Sequence, residues 1–151
     1  MGMSFEEFAA AGGARLRASF VAAYGPELGS DIAADSMAYA WEHWAKLEEM
    51  DNPTGYLYRV GQTSARRRMR RSGYLPAQAA ATEPAFEPAL APALEKLTEA
   101  QRIAVVLVHA LGWPLVDVAD VLDVSVSTVR THIHRAMTKL RTSLKVDRHA
   151  S

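Results

Sequence analysis

The sequence predicts an all-α protein: two small helical domains joined by an Ala/Pro-rich linker. Three observations lead there. Apolar residues recur three and four apart along most of the 151-residue chain, the period of amphipathic helices. Helix-opening signals stand at regular intervals, at Ser4, Ser30, Asn52-Pro53, Thr98 and Ser125. Between them, Tyr74 to Ala93 carries Pro76, Pro84, Pro88 and Pro92 and keeps no sustained period, as a partly extended linker would. The expected division is therefore 1–73, a linker over 74–93, and 94–151.

The first helix opens on Ser4-Phe5-Glu6-Glu7, a capping box in which Ser and Glu three apart satisfy each other's backbone N–H groups. Leu16, Phe20, Val21 and Tyr24 form its apolar stripe. Gly12-Gly13 should kink or interrupt it, since each Gly costs about 1 kcal/mol relative to Ala in a helix interior. Gly25-Pro26 ends it. Ser30 is expected to cap the second helix, Asp31 to Glu49, with Ala33, Met37, Ala40, Trp41, Trp44 and Leu47 inside and both Trp rings in the core. Asn52 and Pro53 suit the N-cap and N1 positions of the third helix, which runs to about Arg71 with Tyr56, Leu57, Val60, Ser64 and Met69 inward. Ser72-Gly73 should stop it. Arg66-Arg67-Arg68-Met69-Arg70-Arg71 wraps the helix, so some arginines must face away from the core. A solvated helix end and a nucleic-acid contact explain this run equally well.

In the C-terminal domain Thr98-Glu99-Ala100-Gln101 is a second capping box. It starts a helix carrying Ile103, Val106, Leu107 and Ala110 up to Gly112. A short helix from Leu115 to Leu122 follows, with Leu115, Val118, Ala119 and Leu122 on one face. The chain breaks at Asp123-Val124-Ser125, where Ser125 can cap the next helix. That helix buries Val126, Val129, Ile133, Ala136/Met137 and Leu140. Its outer face carries Ser127, Arg130, Thr131, His134 and Arg135, with Lys139 and Arg141 near its end. A short helix, a tight turn and a longer helix with a basic, hydroxyl-rich face is the helix-turn-helix pattern, whose second helix can lie in a major groove. A plain helical hairpin with a solvated face is the alternative. His132 and His134, two apart, point away from each other and make a poor metal pair. The tail after Leu144 is polar and expected to fray.

Bulk properties narrow the classes. Net charge is zero but segregated. Met1 to Asn52 has nine acids against three bases, Pro53 to Arg71 has six arginines and no acid, and the stretch after Ala100 is again basic. Two basic segments are thus available for phosphate. The absence of cysteine removes disulfides, thiolate metal sites and thiol catalysis, and suits a reducing cytoplasm. No apolar run approaches the ~20 residues that span a bilayer, and no secretory leader pattern opens the chain, so a cytoplasmic protein without membrane insertion is expected. No Gly-rich phosphate loop, His-Glu-x-x-His or Ser/His/Asp cluster is present. Neither an enzyme nor a resident cofactor or metal is expected.

Taken together, these features resemble the bacterial RNA polymerase sigma factors of the compact extracytoplasmic-function type, over roughly Phe5 to Leu144. The likeness is strongest in Leu97-Thr98-Glu99-Ala100-Gln101-Arg102, Gly112-Trp113-Pro114-Leu115-Val116-Asp117-Val118-Ala119, and Ser125 to Ala136. These match the family's fourth region nearly position for position. Asp31 to Trp41 and Asn52 to Val60 resemble the second region, with Ala34 standing where members usually carry Gln, and Thr63 and Arg67 where they carry Asn and Asp.

The resemblance implies a transcription initiation factor that binds core RNA polymerase and directs it to promoters. Region 4 would read the −35 element through Ser127, Arg130, Thr131, His134, Arg135 and Lys139 and touch the polymerase flap. Region 2 would dock on the clamp through Asp31, Ala34, Asp35 and Ala38. It would help open the −10 element through Asn52, Tyr56, Arg59, Arg66, Arg67, Arg70 and Arg71. Promoter DNA and core polymerase are the implied partners, with room for an anti-sigma factor. Two alternatives stay open: a helix-turn-helix regulator that acts without polymerase, and a degenerate sigma-like module that binds only protein, which the departures at Ala34, Thr63 and Arg67 would suit.

Overall fold

The computed structural model describes residues 2–72 and 90–150, the side chains of 72, 91 and 146–150 excepted. The described elements are α1 (Phe5–Tyr24), α2 (Pro26–Glu42), α3 (Trp44–Leu47), α4 (Pro53–Ser72), α5 (Leu90–Glu95), α6 (Glu99–Val105), a π-helical turn (Val106–Ala110), α7 (Leu115–Leu122) and α8 (Val126–Ala150). No strand occurs among the described residues, as the all-α expectation requires. Both capping boxes form, Ser4 with Glu7 and Thr98 with Gln101. Asn52 caps α4 by accepting from the Gly55 N–H at 3.0 Å.

Several elements depart from expectation. Gly12-Gly13 leaves α1 unbroken. The ring of Phe8 lies over Gly12, where a Cβ would come within 3.0 Å of it, so the missing side chain lets an aromatic pack onto the helix. The second helix starts at Pro26, not after Ser30, because a proline at N1 needs no N–H partner there. It breaks at His43 rather than running to Glu49. Its buried stripe is Gly29, Ile32, Ala33, Ser36 and Ala40. Trp41 falls one position past that stripe and is 62% exposed, its ring meeting the edge of Phe5. Trp44 is partly buried against Phe5 and Phe8 and donates to the Met3 carbonyl at 3.0 Å.

On α4 the inward residues are Leu57, Tyr58, Gly61 and Ala65, while Tyr56, Val60 and Ser64 sit at the margin. Phe20 sets this rotation. It stacks on Tyr58 at 5.2 Å and presses so close to α4 that a Cβ on Gly61 would stand 2.2 Å from its ring. The linker expected over 74–93 lies outside the described residues up to 89. Its last four residues are helical, because α5 begins at Leu90. Ala93, Leu94 and Leu97 bury with Ala136 and Leu140 of α8, and Pro92 falls within the first turn, where a helix tolerates it. The helix expected to continue to Gly112 turns π-helical at Val106. At the other end α8 runs on past Leu144 to Ala150.

α1, α2 and α4 pack on one another, and α5, α6 and α7 pack on α8. The two groups also meet: α1 lies against α6 and α7, and α4 against α7. One apolar core runs through both, from Phe20, Ile32 and Leu57 to Ile103, Leu107, Val118 and Val129.

Candidate nucleic-acid interface

The turn between α7 and α8 is made by Asp123 in the left-handed conformation, φ 54° and ψ 49°. Asp is among the few residues other than Gly that take this conformation readily. The Val124 N–H then reaches the Ala119 carbonyl at 3.0 Å. Ser125 Oγ accepts from the Thr128 N–H at 3.1 Å and opens α8. Val129, Ala136 and Leu140 anchor α8 in the core. This fixes its opposite face outward: Ser127, Arg130, Thr131, His134, Arg135 and Lys139 are all exposed. Two of these already hold internal bonds. The Thr131 hydroxyl donates to the Ser127 carbonyl at 3.2 Å, and Lys139 Nζ donates to Gln101 Oε1 at 2.9 Å. Arg130, His134 and Arg135 make no ion pair among the described residues.

The N-terminal candidates are placed differently. Asp31, Ala34, Asp35 and Ala38 form one exposed stripe on α2, and Asp35 is ion-paired with Arg68 of α4. Arg66, Arg67, Arg70 and Arg71 are exposed at the end of α4. Tyr56 is half-buried, its hydroxyl 3.4 Å from that of Tyr39; this contact raises the Tyr39 hydroxyl pKa. Asn52 and Arg59 are both engaged by the helix-turn-helix: Asn52 Nδ2 donates to the Asp120 carbonyl at 2.6 Å, and Arg59 pairs with Asp123 at 2.9 Å.

Residues that the sequence did not single out join the two groups. Glu99, at the start of α6, accepts from the Tyr58 hydroxyl at 3.0 Å and from Gln62 Nε2. Burial, then the Glu99 charge, pushes the Tyr58 and Tyr24 hydroxyls far above the usual phenol range. Arg102 donates to the Ala22 and Ala23 carbonyls at 3.3 and 2.8 Å, satisfying the end of α1; burial lowers its pKa, and Glu99 opposes the shift. Arg15 of α1 pairs with Asp117 of α7 at 3.0 Å. The signal that could have found this seam is the three-residue spacing of Asp117, Asp120 and Asp123 beside a helix pair that otherwise shows a basic face. His132, partly buried on the inner side of α8, lines a cleft with Tyr58, Arg59, Gln62, Thr63 and Glu99. Its Nδ1 has no hydrogen-bond partner among the described residues.

Comparison with known proteins fits this geometry. The family described as sigma-70, region 4 matches residues 89–140, the segment from α5 to near the middle of α8. No curated protein sequence matches the chain. Among solved structures, the chain is similar to the sigma factor RpoE from Bartonella quintana, solved with the anti-sigma factor NepR. Identity is 22%, coverage 95% of this chain and 98% of that one, and the TM-score 0.59. It is also similar to CnrH, solved with the cytosolic domain of CnrY, at 27% identity over 95% of this chain and 88% of that one, TM-score 0.59. No described helix is long and apolar enough to cross a membrane.

Proposed function

We infer that the chain is a sigma factor of the compact extracytoplasmic-function type, which binds core RNA polymerase and directs it to promoters. One observation carries this: the sigma-70 region 4 match falls on a helix-turn-helix whose second helix turns its basic and hydroxyl side chains to solvent, within a chain whose fold is that of a sigma factor from end to end. No feature of the chain favours a regulator acting without polymerase, or a module that binds only protein.

The roles follow from chemistry. Arg130 sits in the first turns of α8, the part that reaches base edges in this motif. Its guanidinium can bridge the two acceptors of guanine. Ser127, Thr131, His134, Arg135 and Lys139 serve base edges or phosphates of the −35 element. The stripe Asp31, Ala34, Asp35 and Ala38 docks on the polymerase clamp, its two alanines letting a partner helix approach between the acids. Opening the −10 element costs about a few kcal/mol per unstacked base. A protein offsets that cost by holding the displaced strand. The loop Glu48 to Asn52 and the start of α4, with Asn52 and Tyr56, hold bases, while Arg59, Arg66, Arg67, Arg70 and Arg71 hold phosphates. The chain itself forms and breaks no bonds; it works in the cytoplasm, where the polymerase does the chemistry. An anti-sigma factor, of the kind found with the similar RpoE, is the expected regulator.

The test is run-off transcription on a genomic promoter library with purified core polymerase, with and without the chain. Transcripts with discrete start sites that need both components are expected. Core polymerase that gains no promoter-specific start from the chain would refute the reading.

A further inference from the structure

Where the N-terminal half meets α7, three aspartates stand three residues apart along one edge. Asp117 holds Arg15 at 3.0 Å, and Asp123 holds Arg59 at 2.9 Å. Between them the Asp120 carbonyl accepts from Asn52 Nδ2 at 2.6 Å. The approach is close enough to depend on a glycine: a Cβ on Gly55 would stand 2.8 Å from the Asp120 carbonyl oxygen and 2.5 Å from Asn52 Nδ2. A cleft of about 320 Å³ opens on the same seam, between Arg15, Asn52, Thr54, Asp117 and Asp120. The groups that α7 engages here, an amide and a guanidinium, are of the kind that hold bases and phosphates.

This closed arrangement is incompatible with the task proposed for the chain. Elements centred 35 and 10 base pairs upstream lie about 85 Å apart on duplex DNA, at ~3.4 Å per step. A compact chain of this length has a radius of gyration of about 15 Å. A body with one core running through both halves cannot lay α8 on one element and α4 on the other, so the seam must part before promoter engagement.

We propose that the acidic edge of α7 is a built-in stand-in for nucleic-acid phosphate, which occupies the strand-holding surface around Asn52 and Arg59 and keeps the free chain autoinhibited until polymerase separates the halves. The proposal rests on the sigma-factor reading, since it is that reading which assigns Asn52 and Arg59 to the −10 strand. It adds that α7 and the −10 strand compete for the same side chains, so parting the seam and gaining single-strand affinity are one event.

The test uses the full chain. It contains no cysteine, so cysteines placed at exposed Glu27 and Thr142 can carry a donor and an acceptor dye without other labelling. Two variants open the seam by different means. Asp117→Ala with Asp123→Ala removes the ion pairs. Gly55→Ala changes no charge and puts a better helix former into α4, yet its Cβ collides with the Asp120 carbonyl. Both should lower energy transfer between the dyes. Both should also tighten binding of a fluorescein-labelled single-stranded 20-mer by about fivefold or more, the low end of coupling between linked sites. The Gly55→Ala arm separates this gain from the simple loss of negative charge. Exchanging the pair, Arg15→Glu with Asp117→Arg, should restore wild-type transfer. Unchanged transfer in both opening variants overturns the proposal. So does a loss of transfer with no gain in oligonucleotide affinity, which would mean that α7 does not cover the strand-holding surface. Variants that open and bind as stated, in a chain that gives no promoter-specific run-off, would keep the latch and refute the sigma-factor reading. Promoter-specific run-off with transfer unchanged in both variants would do the reverse.

Discussion

α4 and α8 are both long helices with basic outer faces, and both are assigned to nucleic acid, yet they stand in different states. The outer face of α8 is solvent-facing from Ser127 to Lys139, and its arginines at 130 and 135 hold no ion pair among the described residues. The basic groups of α4 are partly committed: Arg59 to Asp123, Arg68 to Asp35, and the capping Asn52 to the Asp120 carbonyl. A helix of the first kind can meet duplex DNA without rearrangement. One of the second kind has to exchange partners first. Exposed ion pairs contribute about 0–1 kcal/mol each, so the polar part of the exchange is modest, and the shared apolar core makes up the larger share of the cost of opening.

The largest effect that bears on this comparison is at the core. Phe20 is fully buried, stacked on Tyr58 and packed over Gly61. Phe20→Ala should cost about 3–5 kcal/mol. If the two halves are one cooperative unit, urea denaturation followed by hydrogen exchange should show α1 and α8 amides losing protection at the same midpoint. Amides of α8 that stay protected after α1 has unfolded would show that the halves are independent and that their contact is energetically minor.

Next come the two basic faces themselves. Arg130→Ala should cost about 1–3 kcal/mol on the preferred promoter and relax preference at one upstream position. If it weakens promoter and scrambled duplex alike, Arg130 touches backbone and the reading face is misassigned. Replacing two of Arg66, Arg67, Arg70 and Arg71 by Ala should weaken all sequences equally. The log–log salt dependence should become shallower by about one unit per lost phosphate contact. A salt slope identical to wild type would make the run a solvated helix end, and the difference between α4 and α8 one of kind rather than of state.

What the sequence revealed and what it hid divide along the same line. The helix-turn-helix was legible because its determinants are local: the Ser125 cap, the three-and-four spacing of Val126, Val129, Ile133 and Leu140, and a polar face with little else to bind. The capping boxes at Ser4 and Thr98, and Asn52-Pro53, were legible for the same reason. The N-terminal half read less well because its decisive contacts join distant positions. Gly12 and Gly61 look like helix weaknesses until Phe8 and Phe20 are placed on them. Trp41 looks like core until His43 breaks the helix and Ile32, Ser36 and Ala40 fix its rotation. Tyr58 reads as a surface tyrosine until Glu99, 41 residues away, accepts its hydroxyl. No periodicity records the pairing of Arg15 with Asp117 or of Arg102 with the end of α1, so the joining of the halves was hidden.

The smallest expected effect tests the inner side of α8. His132 faces the cleft between the halves, near Arg59, Gln62, Thr63 and Glu99, with Arg135 one turn along its own helix. Burial, and secondarily the Arg135 charge, lowers its pKa below the ordinary histidine value of 6.5. The folded chain therefore disfavours the imidazolium that the unfolded chain forms readily. Between the lowered value and about 6.5 the unfolded state binds more protons, so stability rises with pH through that window and falls on acidification. Above it both states are neutral and the contribution is flat. His132→Gln removes the titration and keeps a polar side chain in the cleft. Its thermal midpoint should fall less than that of wild type between pH 7.5 and the acid side of the histidine range, with the two curves parallel above neutrality. If the variant loses as much stability on acidification as wild type, His132 is solvated in the folded chain, and the seam between α4 and α8 is more open than its contacts indicate.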